Sequence, residues 1–258
     1  MALLGIPGVH SRLGLDDCLR MQEMFAPLSC AYEQPAGVLA NPVRSYNSLP
    51  SEHHQPTVED SQLRGGAEII AKYDEQDRIA MHLLHSHGVL ESDNIMVTRK
   101  IVKSPTATSP VFVKQPMSGA KALRGGPLSP RVLAAREDKR VHPCELKEAK
   151  RPQEALDINI EFFHEFAEYV NLHKIHQVLG LQLLDSEESQ DTELVEVEDG
   201  AGGTATFYSH DVPDSEHTRT TTWVVEKVDG VVSWKGGEGH SRKPGDIKHT
   251  TFSDGKFS

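Results

Sequence analysis

Cysteine is scarce in this chain: Cys18, Cys30 and Cys144 are its three thiols in 258 residues. An odd number with no C-x-x-C spacing excludes a full internal disulfide framework and points to a reduced, cytoplasmic setting. Long apolar runs are missing too, so no segment approaches bilayer-spanning length and no membrane role is expected. Residues 1–8 are apolar but few, lack a basic leader and are broken by Pro7, which argues against a secretory signal. Positive charge is the minority sign. Against 38 Asp and Glu stand 27 Lys and Arg, a formal net charge of −11 that argues against nucleic acid or an anionic membrane as partner. The basic stretch 119–151 contains no Phe, Trp or Tyr to stack on bases, so it reads as solvated surface or linker.

The familiar catalytic signatures are absent as well. There is no G-x-x-x-x-G-K-S/T phosphate loop, no G-x-S-x-G elbow and no H-E-x-x-H helix. The glycines of 200–203 lack Rossmann spacing and sit between β-like neighbours. No cofactor-binding residues can be named on these grounds. The share of apolar residues is 37% and the mean hydropathy −0.44, values that suit a globular core carrying long polar surface segments.

Histidine is plentiful, and three of the fourteen fall in the run 79–87. Read as a strand, that run puts Ile79, Met81, Leu83, His85 and His87 on one face and His82 on the other. Read as a helix, His85 and His87 would diverge. Two imidazoles closing an apolar strand face form a possible acid–base pair or half of a metal site, so His85 and His87 are the candidate catalytic and metal-ligating residues. Plain hydrogen bonding at a strand end is the alternative.

Other clusters carry less. Glu161 and His164 have the Glu-x-x-His spacing of di-metal bundles, but no second such motif accompanies them. His173 and His176 suit the C-terminal end of a helix. Cys144 has His142 two positions away and otherwise reads as a buried thiol. His240 and His249 have no informative context.

Periodicity supplies the elements. Leu15, Cys18, Leu19 and Phe25 predict a helix over 15–25, followed by an exposed, mobile loop over 31–63. A short helix over 67–72 follows the break at Gly65-Gly66. The β-branched run 95–102 and the shorter 111–113 read as strands, and 116–130 as a second mobile loop. Segments 132–135 and 141–146 can pair across 137–140, with Pro127 and Pro130 favouring an edge position or a late start.

Phe162, Phe163, Phe166, Ala167 and Val170 mark the clearest helix, 157–172, with Asp157 as its N-cap. Strands are predicted over 181–184 and 204–208, with part of the acidic stretch 185–199 extended as well. Asp229-Gly230 between β-favouring runs predicts a type I′ hairpin that sets Trp234 opposite Val225. Beyond Gly236-Gly237 the chain turns polar, and 240–258 reads as a frayed tail.

The expected object is a single α+β domain over 1–258, with a mixed or antiparallel sheet, two principal helices and long loops. Two functions suit it: binding or modifying a small molecule near His85 and His87, or a noncatalytic interaction or regulatory role through the acidic segment and loops. Whether it is an enzyme, and what its oligomeric state and any protein partner are, no residue pattern decides.

Overall fold

A computed structural model describes residues 40–51, 54, 57–100, 112–119, 121–122, 128–149, 158–184, 194–198, 204–208, 217–243 and 246–250. The helix expected over 15–25 lies outside these residues. Among them run α1 (Ala40–Asn47), α2 (Asp60–Lys72) and α3 (Ile160–Leu172). The strands are β1 (Ile79–Leu83), β2 (Asn94–Lys100), β3 (Phe112–Ser118), β4 (Leu128–Ala135), β5 (Val141–Glu148), β6 (Leu179–Leu183), β7 (Leu194–Glu198), β8 (Thr204–Tyr208), β9 (His217–Val228), β10 (Val231–Lys243) and β11 (Asp246–Thr250). The class is α+β with a mixed sheet. No helix among the described residues is long and apolar enough to cross a membrane.

The strands close into a barrel in the order β1-β6-β4-β5-β2-β3-β8-β7-β11-β10-β9, with β9 returning to β1. The barrel is built twice from one pattern. Helix α2, β1 and β2 begin 100 residues before α3, β6 and β7. Each helix ends in a left-handed residue, Asp74 (φ 56°) and Lys174 (φ 58°). Matching backbone bonds then lead into the strand: Ile79 N–H donates to Glu75 O and Leu179 N–H to Ile175 O. The pairings match as well. Strand β4 joins β6 as β9 joins β1, β5 runs parallel to β2 as β10 does to β7, and β1–β6 and β3–β8 join the two halves. In the register, Glu238 takes the place opposite Thr222 that Glu145 takes opposite Val132.

Helices α2 and α3 lie side by side on one wall. Ile70, Phe162, Phe163, Phe166 and Val170 pack there with Met81, Leu133, Leu181 and Trp223, all buried. A second apolar cluster sets Val43 and Tyr46 of α1 with Ile95, Val97, Cys144 and Leu146. Burying a large apolar side chain contributes about 1.5–3 kcal/mol, so these two clusters supply the main cohesion.

Several expectations need correction. The stretch 31–63 is not loop throughout: α1 occupies 40–47, because Val43 and Tyr46 bury against the sheet, and α2 starts at Asp60. Helix α2 runs through Gly65-Gly66 instead of breaking there. Gly65 faces Tyr169 and Gly66 faces Met81 and Phe166, so the small residues allow close packing that outweighs their poor helix propensity. The N-cap of α3 is Asn159, whose side chain accepts from Glu161 N–H, and not Asp157.

The range 116–130 gives its ends to β3 and β4. Strand β4 lies inside the sheet between β5 and β6, with Pro130 tolerated beside a break in register at Arg131. The hairpin forms with Asp229 at φ 51° and Gly230 at φ 79°, and Trp234 pairs with Val225. The backbone of β10 continues past Gly236-Gly237 and β11 follows, so pairing replaces fraying over 240–243 and 246–250, and 251–258 lie outside the described residues.

Candidate functional site

The run 79–87 is extended only as far as Leu83. Ile79, Met81 and Leu83 face the helices, as the alternation requires. The chain then leaves the strand, and His85 does not continue that face. Its ring stacks with that of His82, centroids 5.8 Å apart, so the expected separation of His82 from His85 is overturned by the end of the strand.

His85 and His87 do meet, Nε2 to Nε2 at 3.1 Å. His85 Nδ1 lies 2.8 Å from Leu83 O, and a carbonyl only accepts, so Nδ1 carries the hydrogen. In the neutral ring Nε2 is then an acceptor, and His87 Nε2–H is the donor. Tyr46 Oη accepts from His87 N–H at 3.0 Å, and Ser86 N–H donates to Pro50 O. His85 is 1% exposed. These bonds lie in the turn after β1, and among the described residues no group of three or more His, Cys, Asp or Glu gathers to ligate a metal.

The other sequence candidates are scattered. His164 lies on α3, and His173 is its C-cap, ring against Tyr169 at 4.5 Å. Cys144 is buried, its thiol donating to Val132 O and held protonated by burial and by the Glu145 charge. His142 contacts Asp138 at 3.4 Å instead of the thiol, and burial pushes it below the ordinary imidazole value.

The residues that do converge lie inside the barrel. Strand partners share a face, so the register can be followed around the wall. His82 pairs with Thr222, and Ala80, two positions away, with Gln182. Gln182 pairs with Val132, and Val132 with Glu145. Lys114 pairs with Thr98 on one side and Thr204 on the other, and its Nζ lies 3.2 Å from Glu145 Oε1. This face is opposite the one that carries Met81, Leu181 and Leu133 against the helices. It is therefore the interior.

None of His82, Thr98, Lys114, Glu145, Gln182, Thr204 and Thr222 is more than 8% exposed. Arg131, read from sequence as part of a solvated basic surface, is 5% exposed with its guanidinium 5.3 Å from the Phe112 ring. Two short networks run through the interior. His82 Nδ1 lies 3.1 Å from Thr222 Oγ1, which donates to Gln182 Oε1. His82 and Gln182 are equivalent positions of the two halves, 100 residues apart. The second network is Lys114–Glu145.

Around Lys114–Glu145 polar atoms are left over. Glu145 Oε2 and Thr98 Oγ1 are buried with no hydrogen-bond partner among the described residues, and so is Ser129 Oγ, opposite Lys147 in the same register. Native interiors rarely leave such atoms unpaired, because each costs about 1–3 kcal/mol. The arrangement offers a fixed acceptor (Glu145), a fixed cation (Lys114) and hydroxyls that can donate or accept. Sequence reasoning passed over all of these residues. The available signal was alternation in β3, where Phe112 and Lys114 share a face.

No family model, no curated protein and no solved structure matches this chain.

Proposed function

We propose that the protein binds a small polar molecule inside the barrel, seated on Glu145, Lys114 and Thr98. The observation that carries this reading is the pair of buried atoms with no partner among the described residues, Glu145 Oε2 and Thr98 Oγ1, beside a buried cation. A barrel of more than eight strands has an interior wide enough for a ligand, and a few fixed polar groups on its wall give orientation. The His82–Thr222–Gln182 network lines the same interior and would contribute further polar contacts. His85 and His87 support that end of β1 and are not needed as ligands. The acidic segment 185–199 is described only at β7, and no observation favours a partner-binding role for it.

The test uses the full chain and a thermal-shift panel of amino acids, sugars, nucleosides and small carboxylic acids. One class should raise the melting temperature saturably. Thr98→Val, which keeps the side-chain shape, should weaken that response at least tenfold. No response to any class, or a response unchanged in both Thr98→Val and Glu145→Gln, would overturn the proposal.

A further inference from the structure

A separate cleft of about 420 Å³ opens between α1 and the β4–β5 turn, lined in part by Arg44, Ser45, Arg136, Glu137 and His176. Ser45 is 1% exposed, yet its hydroxyl has no partner among the described residues. Both ring nitrogens of His176 are likewise sequestered without a partner among the described residues. An imidazole and a hydroxyl left unpaired together, on the wall of a cleft with room for a ligand, are two independent signs that the cleft is filled in use.

We infer that this cleft binds a small molecule through an oxyanion head. His176 has a ring N–H to give, Ser45 Oγ has a hydroxyl hydrogen, and Arg44 and Arg136 bring guanidinium groups that have no ion-pair partner among the described residues. Guanidinium forks match the two oxygens of a carboxylate or a phosphate. The carboxylates on the wall do not cancel this character equally. Asp138 is already engaged, accepting from Arg140 N–H and lying against His142. Glu137 remains and offsets one of the two cations, so the ligand carries one phosphate or carboxylate head on a small body. The site is distinct from the barrel interior and stands or falls independently of it.

An oxyanion head can arrive as phosphate or as carboxylate, and two probes separate these sources. The full chain, labelled at histidine, is titrated at constant ionic strength with inorganic phosphate and with benzoate. The His176 ring resonance, assigned with His176→Gln, is followed by NMR. A saturable shift with either anion is expected, naming the source, with its midpoint at least tenfold weaker in Arg136→Ala. Ser45→Ala should weaken it as well, and the half-exposed Arg136 can be replaced without touching the core. A linear, unsaturating response to both anions would overturn the inference. So would a saturable one that neither Arg136→Ala nor Ser45→Ala changes.

Discussion

Separating Lys114 from Glu145 tests the closed polar interior directly. At the 3.2 Å separation their attraction is about 5 kcal/mol for an effective dielectric constant near 20. The desolvation of two buried charges, several kcal/mol each, offsets most of that gain. The pair is therefore worth little as a whole but much when broken. Lys114→Met leaves the Glu145 carboxylate buried without the cation beside it, and Glu145→Gln removes the carboxylate from the buried Lys114 ammonium.

Lys114→Met should accordingly lose roughly 3–5 kcal/mol in urea unfolding and Glu145→Gln should destabilise as well, whereas Lys114→Met with Glu145→Met should cost less than about 1 kcal/mol or stabilise. The assay is a double-mutant cycle at pH 7. Two single variants each within about 1 kcal/mol of the parent would refute the reasoning, because they would mean the interior is wet and screens both charges.

Three further outcomes follow from local geometry. A Cβ on Gly180 would stand 2.5 Å from Leu133 O and 2.6 Å from Leu84 Cδ2. Gly180→Ala should therefore cost about 1–3 kcal/mol, while Gly66→Ala, whose Cβ presses on the Met81 thioether at 2.8 Å and meets Phe166 at an ordinary 3.7 Å, stays within about 1 kcal/mol of neutral; urea denaturation showing the reverse order would contradict the packing. Burial holds His142 below the ordinary imidazole value of 6.5, so its contribution is present above that value and lost as pH falls below it. His142→Asn should flatten the decline in stability from pH 7 to 5, and an unchanged slope would remove His142 as its source. Cys144 is buried and held protonated. Iodoacetamide at pH 8 should modify it only in denaturant by peptide mass spectrometry, and rapid labelling of the folded chain would show that the second core opens.

Some of the fold was legible from local rules, and the reason is chemical. Asp229-Gly230 gave the hairpin and the Trp234–Val225 register, because positive φ at two adjacent positions is a property of those residue types alone. The aromatic stripe of α3 was legible for a similar reason, since helical spacing of Phe162, Phe163, Phe166 and Val170 has one economical solution. The misreadings lie where a distant neighbour decides. Gly65-Gly66 resembles a helix break until Tyr169 and Phe166 are packed against it. The repeat at 100 residues is carried by backbone geometry at Asp74 and Lys174, which share no chemistry, so residue identity hides it.

For the site the division is sharper. Local order along the chain sufficed to bring His85 and His87 within bonding distance, since only Ser86 separates them. It could not tell whether that bond serves chemistry or a turn. Lys114 and Glu145 lie 31 residues apart, and Arg131 lies in a stretch that reads as solvent-facing. Composition determined an acidic, cysteine-poor chain, and residue order added an α+β pattern with alternating strands. Closure of the barrel decided which side of each strand became the interior, because a face is buried only by what the rest of the chain places across from it.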